Sequence, residues 1–83
     1  TLDDKANLLI ANINRNILLA DMERFANALL PHGNMLLSGF YVQDIPVLAE
    51  RASQLGMRVV EERAEEEWAM ILLETDAAGR MDV

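Results

Sequence analysis

The chain has 83 residues, enough for one small domain with little room for a separate substrate domain, so residues 1–83 are read as a single folding unit. Hydrophobic residues at 52% and charged residues at 25% exclude a disordered chain and predict a packed core. The formal net charge of -7, from 14 acidic and 7 basic residues, argues against direct nucleic-acid binding through phosphate neutralisation; the lack of cysteine excludes disulfides and thiolate metal sites and fits a reducing, cytoplasmic setting.

Thr1-Leu2-Asp3-Asp4-Lys5 has no basic region leading into an apolar stretch, so it is not read as a secretory signal, and the lack of an initiator Met suits a fragment or a processed chain. The short apolar run Asn7-Leu8-Leu9-Ile10-Ala11-Asn12 does not alternate, which predicts a strand buried on both faces. Over residues 15–30, Leu18, Met22, Phe25 and Leu29 recur at helical spacing, with Asp21, Glu23, Arg24 and Asn27 on the other side; Pro31 and Gly33 are expected to stop this helix. Met35-Leu36-Leu37-Ser38 reads as a second buried strand ending at Gly39. A second helix, capped by Asp44 and with Pro46 in its first turn, carries Ile45, Leu48, Ala49, Ala52 and Leu55 as its apolar stripe and ends at Gly56. Residues 58–63 predict a half-exposed third strand and residues 68–73 a fully buried fourth; the short link 64–67 favours an antiparallel hairpin. Residues 75–83 read as a flexible tail. No apolar run approaches the roughly 20 residues that span a bilayer, so no membrane contact is expected.

The order strand, helix, strand, helix, strand, strand defines an α/β fold. Right-handed crossovers between strands laid down in one direction put both helices on the same side of the sheet, leaving the other side bare. Four strands at about 4.8 Å spacing and about five residues each at about 3.3 Å rise make that face roughly 300 Å² in plan. A patch of about 300–600 Å² is tolerated on a monomer and is often functional. Such a face calls for a cover: the rest of a doubly wound domain, a second copy of the chain or another partner.

Three stretches carry a resemblance to class I methyltransferases, and within them to the family that methylates the ribosomal protein known as L-eleven. Leu9-Ile10-Ala11-Asn12-Ile13 resembles that family's fourth strand with its Ala-Asn-Ile signature. The run from Leu30 through Pro31-His32-Gly33-Asn34 to Leu37-Ser38-Gly39 resembles a Leu-Lys-Pro-Gly-Gly loop leading into a strand that ends Leu-Ser-Gly, and Glu66-Glu67-Trp68-Ala69 resembles a hairpin ending in Glu-Trp. Together these cover most of residues 7–74. The loop is generic, whereas the three signatures in this order are more specific. The Lys and second Gly of the loop are lacking, and Asn14-Arg15-Asn16 is polar where many relatives are apolar.

The resemblance implies the C-terminal half of a Rossmann-like class I methyltransferase sheet, in which the last strand is inserted between the two before it and the first strand here lies beside one that this sequence does not contain. It also implies S-adenosylmethionine as cofactor of the intact parent and amino groups of a ribosomal protein as substrate. The glycine-rich cofactor loop, the acidic residue after the family's second strand and the amino-terminal substrate-recognition domain have no counterpart in this sequence, so the segment is expected to be inactive alone.

Ligands of open α/β sheets bind beyond the carboxyl ends of the strands, where strand order reverses. Asn12 falls at such an end. Its carboxamide offers a donor and an acceptor, which suits the methionine part of the cofactor or the incoming amine, although capping a strand end is the plainer use of the same group. By resemblance Asn12 is the one cofactor-binding residue expected; no catalytic or metal-binding residue is assigned. His32 reads as a turn residue, Trp68 and the methionines as packing, and Glu61, Glu62, Glu65, Glu66 and Glu67 as a solvated hairpin rather than a dock for a basic protein. Two other functions fit the residues: a stand-alone module that dimerises through the bare face, and a methyltransferase with a small-molecule or nucleobase substrate.

Overall fold

In the computed structural model, which describes residues 6–76, the first apolar run forms β1 (Ala6–Asn12). α1 (Arg15–Asn27) follows because Asn14 caps it: the Asn14 side chain accepts from Ile17 N at 3.0 Å, satisfying one of the amides that a helix start leaves without a partner. Leu18, Met22 and Ala26, one turn apart, form its buried stripe.

The helix is shorter than residues 15–30. It ends at Asn27, and β2 (Leu29–Tyr41) already includes Pro31 and Gly33, which were expected to stop the helix. Leu29 bridges to Ala6, residues 30–33 leave the ladder, and pairing resumes at Leu8 and Asn34. This excursion is pinned by the strand paired with β2 on its other side. Thr75 Oγ1 donates to Leu30 O at 3.1 Å and accepts from Gly33 N at 3.0 Å, and His32 N donates to Asp76 O. His32 has φ 62, a conformation that glycine adopts more cheaply, so the departure from the Gly-Gly loop lies within this turn.

After β2 a short 3-10 turn (Val42–Asp44) leads into α2 (Ile45–Gln54), then β3 (Met57–Glu65) and β4 (Trp68–Thr75). Asp44 occupies the cap position of α2, but its carboxylate makes no cap bond there. It turns back instead, accepting from Tyr41 N at 3.0 Å and from Arg15 at 3.2 Å.

The sheet order is β1-β2-β4-β3, with β1 and β2 parallel and β4 antiparallel to both of its neighbours. A hairpin strand thus sits between β2 and β3, the order the resemblance implied. Both helices cover one face. Leu18, Met22, Leu48, Ala52 and Leu55 pack there against Met35, Leu37, Phe40, Ile71 and Leu73.

Among the described residues, no helix covers the other face. Leu8 and Ile10 of β1 are 52% and 65% exposed, and Met70 and Trp68 of β4 are 40% and 51% exposed. The expectation that the first and fourth strands are buried on both faces therefore fails: β4 is buried on one face only, and in β1 Leu9 and Ala11 are no more than partly buried against the core. In β4 burial alternates, with Ala69, Ile71, Leu73 and Thr75 inside and their neighbours outside. Thr75, expected at the head of a frayed tail, is a buried strand residue, and Asp76 N donates to Gly56 O; residues 77–83 of that expected tail lie outside the described residues.

Candidate functional site

The carboxyl ends of the parallel strands and the tip of the β3–β4 hairpin meet at one end of the sheet. Ile13 N donates to Ser38 O at 3.1 Å, carrying the parallel ladder one residue past β1 and fixing where Asn12 sits beside Ser38. Gly39 then interrupts β2: Ser38 pairs with Met70 and Phe40 with Ala69, so Gly39 is the extra residue of a bulge. The consequence is a change of face. Without the bulge Phe40 would share the bare side with Ser38; with it, Phe40 enters the core and Tyr41 faces out.

Gly39 has φ 93, and a Cβ built on it would lie 2.6 Å from Asn12 Oδ1 and 3.0 Å from both Ile13 N and Ile13 O. Only a residue without a side chain lets the end of β1 come this close. The Asn12 carboxamide therefore lies directly against the β2 bulge.

Asn12, Ser38 and Gly39, with Met70 and Trp68 of β4 and Arg63 and Glu65 of β3 beside them on the neighbouring strands, line an open cleft of about 840 Å³. Tyr41 and Trp68, paired across the strands, stack with ring centroids 4.6 Å apart at 24°. Arg63 is ion-paired with Glu61. The loops around the cleft are braced from behind: the buried Asp44 joins Arg15 to Tyr41, and Val42 N donates to Glu67 O at 3.0 Å.

Asn12, the residue singled out from the sequence, is exposed at this cleft. His32 is not part of it. It lies at the other end of β2, exposed, with Nδ1 3.8 Å from Glu74. Glu61, Glu62, Glu65, Glu66 and Glu67 are all exposed, and of these Glu65 alone borders the cleft. Met22, Met35 and Met57 pack in the core as expected, but Trp68 and Met70 do not. Sequence reasoning missed Gly39, Arg63 and the Tyr41–Trp68 stack. The signal for Trp68 was present: it falls in step with Met70 and out of step with Ala69, Ile71 and Leu73.

Such a lining can bind and orient a ligand through carboxamide, backbone and aromatic contacts. Among the described residues, no group of three His, Asp or Glu side chains could hold a metal ion, and no helix is long and apolar enough to cross a membrane.

A parallel pair followed by a reversed hairpin strand lodged beside it, with the cleft at the carboxyl ends, defines the second half of a Rossmann-like class I methyltransferase sheet. Two solved structures share this fold: a ribosomal protein L11 methylase from Lactobacillus delbrueckii subsp. bulgaricus, with TM-score 0.83 and 20% identity over 89% of this chain and 38% of that one, and M1.HpyAVI in complex with SAM, with TM-score 0.74 and 16% identity over 92% of this chain and 47% of that one. The family model for ribosomal protein L11 methyltransferase (PrmA) matches residues 1–76, and the chain belongs to that family. A ribosomal protein L11 methyltransferase of Porphyromonas gingivalis is 48% identical over 73 residues, covering 88% of this chain and 25% of the relative. One from Thermus thermophilus is 36% identical over 64 residues, covering 77% of this chain and 25% of the relative. The chain thus spans about a quarter of the length of the curated relatives that it matches.

Proposed function

We propose that these residues form the carboxyl-terminal part of the catalytic domain of a cytoplasmic methyltransferase that transfers methyl groups from S-adenosylmethionine to amino groups of ribosomal protein L11. The observation that carries this is the exposed Asn12 carboxamide at the carboxyl end of β1, on a cleft, in a chain of this family. S-adenosylmethionine supplies an electrophilic methyl group when bound, so the protein's task is to orient reactants and exclude water. Asn12 contributes one donor and one acceptor to the methionine part of the cofactor or to the incoming amine. Ser38 and the Gly39 backbone lie beside it, and Trp68, stacked on Tyr41, offers an aromatic surface at the same cleft. The polar and apolar lining fits a ligand with a charged amino-acid end. The glycine-rich cofactor loop is not in this sequence, so the segment alone is inactive, and the preceding part of the domain covers the bare sheet face.

The test is methyl transfer from labelled S-adenosylmethionine to L11 by the intact enzyme of which these residues form the carboxyl-terminal part. Asn12→Ala is expected to lower kcat/KM by about 100-fold, comparable to losing one preorganised polar contact at a reacting centre, with the circular dichroism spectrum unchanged. Unlabelled L11, or an Asn12→Ala enzyme as active as the wild type, contradicts the proposal.

A further inference from the structure

We infer that Gly39 is a positioning residue for Asn12: the β2 bulge leaves the one gap into which the Asn12 carboxamide oxygen fits, and so sets the angle at which the carboxamide is offered to the cleft. The inference rests on the role proposed for Asn12. Its basis is geometric.

Two independent features converge on Gly39. Its φ of 93 lies in the region that side chains rarely adopt. Its missing Cβ is also where the Asn12 oxygen stands, 2.6 Å from the ideal Cβ position, a distance that real Cβ contacts do not reach. Gly56 offers a contrast. It too has positive φ, 81, but it follows α2 and serves the ordinary role of a glycine after a helix end. At Gly39 the positive φ belongs to a bulge, a feature that re-aims side chains near functional sites.

The same bulge returns Phe40 to the core, where it is 1% exposed, so the angle of the Asn12 carboxamide and the seating of Phe40 are set by one backbone event. The Ile13 backbone also stands 3.0 Å from the same point, and the hydrogen bond from Ile13 N to Ser38 O, 3.1 Å, ties that end of β1 to β2 and resists its sliding away to make room. A methyl group at residue 39 must therefore displace the most mobile of its neighbours, the Asn12 side chain. Displacement of a ligand-orienting group by about 1 Å can cost 100-fold in rate.

The experiment is a double-mutant cycle with Gly39→Ala and Asn12→Ala, read in two ways. In this chain, thermal unfolding is expected to show a smaller loss from Gly39→Ala when residue 12 is already Ala, because the colliding oxygen has gone; equal losses in both backgrounds overturn the inference. In the intact enzyme, Gly39→Ala is expected to lower kcat/KM by about 10- to 100-fold with Asn12 present and by less than about twofold with Asn12→Ala, a split that general loss of structure would not give. If Asn12→Ala is costly while Gly39→Ala costs the same in both backgrounds, positioning alone falls. If Asn12→Ala leaves methyl transfer unchanged, the role of Asn12 falls and the inference with it. Should Gly39→Ala fail to fold, nuclear magnetic resonance of the wild-type chain decides: contacts from the Asn12 side chain to the Gly39 Hα protons and a single Asn12 rotamer support the inference, and averaged rotamers overturn it.

Discussion

Asn14, Arg15 and Asp44 show how much of the site's frame rests on single polar groups. Asn14 and Arg15 were noted only as polar residues in an apolar stretch of the family pattern, yet one caps α1 and the other reaches Asp44, a pairing across 29 positions that sequence spacing does not reveal. Arg15 is about half exposed, so the ion pair itself adds little; the Asp44 bond to Tyr41 N matters more because it is shielded. Thr75 is the sharpest case. Its hydroxyl serves both Gly33 N and Leu30 O. Thr75→Val keeps the shape and the β-branch but removes both bonds, and is expected to cost about 1–3 kcal/mol in urea unfolding. Thr75→Ser, which keeps the oxygen, should cost less; the reverse ranking would show that packing rather than hydrogen bonding holds the loop.

At the scale of elements, β1, both helices and the hairpin were legible because each has a clear period or a boundary residue. The boundaries of β2 were not. Pro31 and Gly33 usually end a helix, and nothing local shows that residues 30–33 are held in a strand's excursion by a threonine more than 40 positions away. The alternation of β4 was legible but was passed over, since an unbroken apolar run masks a strand with only one buried face. That difference between faces is measurable. Leu73→Ala, on the covered face, is expected to cost about 2–5 kcal/mol, whereas Ile10→Ser, on the bare face, should stay within about 0.5 kcal/mol in the same denaturation experiment. Similar costs would mean that both faces are covered in solution.

For the molecule as a whole, the bare face and the cleft belong together. Class I sheets continue beyond the strand that corresponds to β1, and Leu8, Ile10, Leu36 and Leu72 are the apolar residues that a further layer would cover. The candidate site was half legible: the Ala-Asn-Ile signature pointed to Asn12, while the gap at Gly39 that receives it exists only once β1 and β2 lie side by side. Under the proposed function the chain supplies only part of a cofactor site, and calorimetric titration of S-adenosylmethionine into the 83-residue chain tests this most directly. A half-site predicts no saturable heat at micromolar cofactor; tight binding of one cofactor per chain would contradict it.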